Sequence, residues 1–211
     1  MNNNIKNHKS NGGRFKHNRK HHHNHKSNKN NSVEDTTVVA EAKKENKPNI
    51  NTSPLYTRNL EPLEVGYRLP AMTLFNSDEN EFSLNDDRSI KVYVTIPTFE
   101  VKSFANDAFK LDTILKEYPN VNAYLISNEP VYTQKRLSKP YRYEKFRILS
   151  DFKNREFARN TGTYIYEISQ LVKSIFIVDK SERILFVKYI DDLYTNFNLN
   201  EINNTLKSIF E

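Results

Sequence analysis

The sequence predicts an α/β domain: a mixed central sheet with helices on both faces and a β-hairpin at its N-terminal end. Three observations lead there. From Leu63 onward, strand-like and helix-like stretches alternate in the order βαβαβα-β-β-α. Late in the chain, Ser174 to Val178 and Ile184 to Ile190 are apolar runs flanking a turn-like Asp179 to Arg183, which reads as an antiparallel hairpin. Before residue 55 the apolar content falls away, so residues 1–54 read as a disordered tail, 55–62 as a linker and 63–211 as the domain. A domain of that size buries roughly 70% of its unfolded surface, enough for an ordinary core without metal or disulfide.

Each element has its own signal. Val65 to Pro70 is an extended lead-in. Met72 and Leu74, then Phe82 and Leu84, form the early hairpin around the turn Asn76 to Asn80. Ile90, Val92, Val94 and Ile96 alternate into a strand that ends at Pro97. Residues 103–117 follow helix periodicity through Phe104, Ala108, Leu111 and Leu115, with Ser103 as the N-cap and Pro119 and Asn120 as the stop. Val121 to Ser127 is the second strand. Thr133 to Ser138 is a short helix ended near Pro140, and Phe146 to Leu149 is a further strand. Asn154 to Asn160 is helical and is followed by Gly162. Asn198 to Phe210 is the last helix, with Leu199, Ile202, Leu206 and Ile209 on one side.

Charge is uneven along the chain. The 211 residues carry 32 basic and 26 acidic side chains, a formal +6. Residues 1–33 hold eight Lys or Arg and no acid, so the balance is a +8 tail on a −2 body. All six histidines lie between His8 and His25. His21, His22, His23 and His25 offer imidazoles for Zn²⁺, Ni²⁺ or Cu²⁺. With the surrounding Lys and Arg, the same tail suits a polyanionic surface, and a solvated spacer is the plainer alternative. The tail lacks the interleaved aromatics of a nucleic-acid stacking surface, so nucleic acid is not expected as a specific ligand.

Several function classes are excluded. The chain has no cysteine, hence no disulfide, thiolate metal site or thiol nucleophile. No run approaches 18 apolar residues, so no membrane span is expected. A basic N-terminus without an apolar run is not a secretory signal, which favours the cytoplasm. Attachment to a cell-surface or spore-coat assembly is the alternative. There is no GxGxxG, phosphate-binding loop, HExxH or GxSxG. Asp86–Asp87 and Asp191–Asp192 read as turns or caps. Lys135 to Arg147 is a basic, Tyr-containing stretch that reads as a solvated face with half-buried tyrosines, the alternative being a binding patch for an anion or a protein.

Several blocks, in order, resemble the thiol peroxidases, the atypical two-cysteine peroxiredoxin family. "VGYRLPAMTLFNSDENEFSLND" is similar to the family's opening lead-in and hairpin. "LISNEPVYTQKR", "LSDFKNREFARNTG" and "LVKSIFIVDKSERILFVKYI" resemble three later segments. The resemblance covers about Leu63 to Ile209. It implies a thioredoxin-like fold and a homodimer. It also implies a reaction that starts with a thiolate at the first turn of the helix after a Pro-containing loop; that thiolate attacks a hydroperoxide, and a second cysteine resolves the sulfenic acid. In this chain the loop reads "PTFEVKSF". By the resemblance, Phe104 stands at the peroxidatic cysteine, Val101 at the peroxide-orienting threonine, Ser138 at the resolving cysteine and Lys173 at the active-site arginine. Pro97 and Glu100 remain as scaffold.

Phenylalanine has neither lone pair nor titratable proton, so it cannot replace a thiolate. Phe104 is expected to pack inward with Phe99 and Phe109. Tyr132, Tyr141, Tyr143, Tyr164 and Tyr166 are expected around the former reaction centre, where binding would replace catalysis. The reading is a catalytically inactive thiol-peroxidase-like protein, a structural or interaction module attached through its tail to an unknown partner. The alternatives are a family enzyme with residual or altered antioxidant activity and a metal carrier working through the tail.

Overall fold

A central strand flanked by a parallel and an antiparallel neighbour organises the molecule, seen here in a computed structural model that describes residues 60–210. β1 (Thr73–Phe75) and β2 (Glu81–Ser83) form the early hairpin. β3 (Ile90–Thr95) follows, then α1 (Lys102–Leu115), β4 (Val121–Ser127), α2 (Val131–Ser138) and β5 (Phe146–Ser150). Next come α3 (Glu156–Thr161), a small ribbon of β6 (Tyr164–Ile165) and β7 (Gln170–Leu171), the hairpin β8 (Lys173–Val178) and β9 (Ile184–Ile190), and α4 (Leu199–Phe210). The main sheet runs β2-β1-β5-β4-β3-β8-β9. β3 is parallel to β4 and antiparallel to β8.

Both faces of that sheet are covered, which explains the near-continuous apolar strands. Val92 and Val94 of β3 point into one core, with Phe104, Ala108, Leu111 and Leu115 of α1 and Ile202 and Leu206 of α4. Tyr93 points into the opposite core, with Leu74, Tyr124, Phe157 and Phe176. The period-two alternation of the strands and the 3.6 period of the helices thus meet in two layers. Lys91 is buried in the central strand. Its ammonium donates to the Asp87 carbonyl at 2.6 Å and pairs with Glu182, which also accepts from the Tyr93 hydroxyl at 3.2 Å.

Several boundaries differ from expectation. α1 starts at Lys102, and its N-cap is Val101, not Ser103; the cap makes no side-chain hydrogen bond. α2 starts two residues early, at Val131 behind Pro130, because proline's fixed φ suits a helix entry. The lead-in is not wholly extended: it turns at Gly66 (φ 91°) and then pairs with the start of β9, through Gly66 N–H to the Ile184 carbonyl at 2.8 Å. The β6–β7 ribbon was not expected. Gly162 ends α3 in the left-handed region, φ 66°, where a Cβ would meet the carbonyl oxygens of Leu60 and Glu61 at 3.0 Å.

Candidate functional site

The loop that leaves the carboxyl end of β3 is fixed from the neighbouring strand. Glu129, just past β4, accepts from the Thr98 hydroxyl at 2.8 Å, the Phe99 N–H at 3.1 Å and the Ser127 hydroxyl at 3.0 Å. Its own carbonyl accepts from the Ser150 hydroxyl at 2.6 Å. The Thr98 hydroxyl in turn accepts from the Glu100 N–H at 3.0 Å. The loop therefore enters α1 at a set angle. Val101, half-buried and extended, offers its carbonyl to the Phe104 N–H at 3.0 Å and closes the first turn.

Phe104 is 4% exposed. Its ring meets Tyr194 at 5.5 Å. Lys173, the first residue of β8, is 1% exposed, and its ammonium lies 5.8 Å from the Phe104 ring centre and 4.7 Å from that of Phe197. One turn along α1 from Phe104, the Asp107 carboxylate receives the Lys173 ammonium at 2.6 Å. The same oxygen accepts from the Phe197 N–H at 2.9 Å, and Lys173 also donates to the Thr195 carbonyl at 2.7 Å. The other Asp107 oxygen is buried with no hydrogen-bond partner. Burial lowers the Lys173 pKa, and the bond and charge of Asp107 pull it back up.

Of the residues singled out in the sequence, the structure brings Phe104, Val101 and Lys173 together. Ser138 is buried at the end of α2, outside this cluster of contacts. Glu100 is exposed. Phe104 does share its core with Phe99. Phe109 does not join them: it is 40% exposed and meets Tyr143 at 6.3 Å, because position 109 faces away from the stripe 104–108–111–115. Tyr141 and Tyr143 stack at 5.9 Å, and Tyr143 meets Phe99. Tyr164 and Tyr166 pair with each other, and Tyr132 sits in a separate cleft with Phe75 and Phe152. His21, His22, His23 and His25 lie outside the described residues. Among the described residues no group of His, Cys, Asp or Glu is arranged to hold a metal ion. Asp87 and Asp192 serve turns: each carboxylate accepts a backbone N–H two residues on.

Two residues were missed. Asp107 carries the ion pair, and Glu129 holds the loop. Asp107 had a readable signal, an acid beside the apolar stripe of an amphipathic helix, where a buried charge needs a partner. Glu129 had none.

The chain is similar to the thiol peroxidase of Clostridium acetobutylicum, 28% identical over 145 residues, which is 64% of this chain and 84% of that one. It is likewise similar to the thiol peroxidase of Aquifex aeolicus, 22% identical over 151 residues, 70% of this chain and 89% of that one. The chain is a distant homologue of thiol peroxidases. No family model matches it. Among solved structures, the peroxiredoxin-like protein of Aquifex aeolicus superposes with a TM-score of 0.68 at 22% identity, covering 73% of this chain and 92% of that one. The thiol peroxidase of Chromobacterium violaceum gives a TM-score of 0.67 at 16% identity, covering 74% and 92%. These matches show the fold: a thioredoxin- and peroxiredoxin-like α/β sheet. Unlike a thiol peroxidase, the chain has no cysteine and so lacks the nucleophile that thiol-dependent peroxide reduction requires.

Proposed function

We propose that this is a catalytically inactive thiol-peroxidase-like protein, a homodimeric structural or interaction module. In this reading the former reaction centre is the cluster of Phe104, Val101 and Lys173, with Ser138 at the lost resolving position. The observation that carries it is the Lys173–Asp107 pair sealed beneath Phe104 and Phe197. A peroxide site needs an accessible nucleophile and a cation directed at the substrate. Here the ring at position 104 offers neither lone pair nor proton, and the nearby cation is already committed to a carboxylate.

Residues 1–54, with eleven Lys or Arg and six histidines, form the attachment segment in this proposal, and a polyanionic surface or a protein partner is what it attaches to. Residues 63–211 form the module and 55–62 the linker. No helix among the described residues is long and apolar enough to cross a membrane. We place the protein in the cytoplasm.

Peroxide consumption with thioredoxin and its reductase tests the reading. Consumption equal to a heat-denatured control is expected; repeated turnover above that control overturns it. Pull-downs with the full chain and with a chain lacking residues 1–54 test the attachment. Partners retained equally by both forms would assign binding to the body instead.

A further inference from the structure

Between the outer strand β9 and the helix α4 lies a cavity of about 380 Å³ that adjoins the Lys173–Asp107 pair through Thr195 and Phe197. Ile175, Phe186, Ile190, Phe197 and Ile202 give it apolar walls. Its polar lining is one-sided. Asp191, Asp192 and Glu201 line it with a single base, Lys188. Asp192 and Glu201 alone already outweigh that base.

The acids are held in place. Asp192 accepts from the Tyr194 N–H and the Thr195 hydroxyl, each at 3.0 Å. Glu201 is fixed at the start of α4, where its N–H donates to the Asn198 side chain at 3.2 Å. Its carboxylate lies 3.6 Å from the half-exposed Lys188 ammonium, a loose pair that solvent screens. The opposite wall is shared with the buried ion pair: the Phe197 N–H and the Thr195 carbonyl bind Asp107 and Lys173. That wall is therefore rigid.

Cavities of this size with apolar walls and a few fixed polar groups are ordinary small-ligand sites. The net negative lining selects the charge. Carboxylates attract a cation, and the apolar walls accept an aliphatic or aromatic body beside it. An anion would meet repulsion, and a neutral body would gain nothing from the excess of acid over base. We propose that the β9–α4 cavity binds an organic amine with one cationic head and an aliphatic or aromatic body.

The test is an NMR titration of the full chain with 4-phenylbutylamine, with 4-phenylbutanol and 4-phenylbutyrate as neutral and anionic controls. Saturable shifts are expected at Ile175, Ile190 and Ile202, with the amine binding at least about tenfold tighter than the alcohol and the carboxylate weaker still. Glu201→Gln should weaken the amine about three- to tenfold while leaving the alcohol unchanged, and Asp192→Asn should do the same. Asp192 is exposed and Glu201 half-buried, and each substitution is isosteric, so a native-like spectrum of each variant is expected. Absence of saturation at about 5 mM amine, equal affinity for amine and alcohol, or shifts confined to other surfaces would each overturn the proposal.

Discussion

At the scale of single residues, Lys173 and Asp107 set the character of the centre. Each would be costly alone at this depth, since an unpaired buried charge loses its hydration and gains nothing. Together they bridge β8, α1 and the loop before α4. Lys173→Met, which leaves Asp107 buried and unpaired, should therefore cost about 3–5 kcal/mol of stability in urea denaturation. Lys173→Met combined with Asp107→Leu should recover most of that loss, because an apolar pair of similar volume carries no desolvation cost. Equal losses in the single and double variants would show that the two side chains are not energetically coupled. Position 104 was readable from the sequence as an apolar residue on a helix face. That its ring would meet Tyr194 rather than Phe109 was not, since the contact joins residues 90 positions apart.

At the scale of elements, α3 shows how a short helix is held. It has six residues, too few to stand alone, and the Asp151 carboxylate accepts from the Phe157 N–H at 3.0 Å and the Ala158 N–H at 2.7 Å. Burial pushes the Asp151 carboxyl up to about 7, against the opposing pull of those two bonds. The folded state thus favours the protonated acid. This contribution is fully present below the ordinary value of 3.8 and is lost as pH rises through about 7. Asp151→Asn should flatten the fall in stability between about pH 4 and 7, measured by denaturation at several pH values; an unchanged slope would assign it elsewhere. Asp87 has the opposite sign: burial raises its pKa, but bonds from Tyr124, Asn122 and Ser89 outweigh it and hold the pKa at about 2. At the other end of α3, Gly162→Ala should destabilise by about 1–3 kcal/mol in the same denaturation assay, since the new methyl would strain a left-handed residue against the Leu60 and Glu61 carbonyls. The element order was legible because both periodicities are strong. The start of α1 was not: Ser103 has the chemistry of a cap, but Glu129 fixes the incoming loop from another strand, and that tertiary restraint decides where the turn closes. The β6–β7 ribbon has two residues per strand, too short to show alternation.

At the scale of the whole molecule, the sheet resembles those of the peroxiredoxin-like protein of Aquifex aeolicus and the thiol peroxidase of Chromobacterium violaceum, while the chain itself has no cysteine. The architecture rests on two well-filled cores, and Phe104 is itself part of one of them. Sedimentation velocity of the full chain should report a dimer, in line with the proposed homodimeric module; a monomer at micromolar concentration would remove that part of the reading. Both the polar tail and the basic stretch Lys135 to Arg147 were visible as composition. In the stretch, Lys135, Arg136, Lys139, Arg142 and Arg147 are exposed, while Tyr141, Tyr143 and Lys145 are half-buried.

Met72, the one methionine among the described residues, is sealed in the core at 2% exposure. The folded body accordingly shows oxidants almost no soft atom to attack. Peroxide should therefore leave this body's mass unchanged, since there is no thiol to oxidise and the one thioether among the described residues is out of reach.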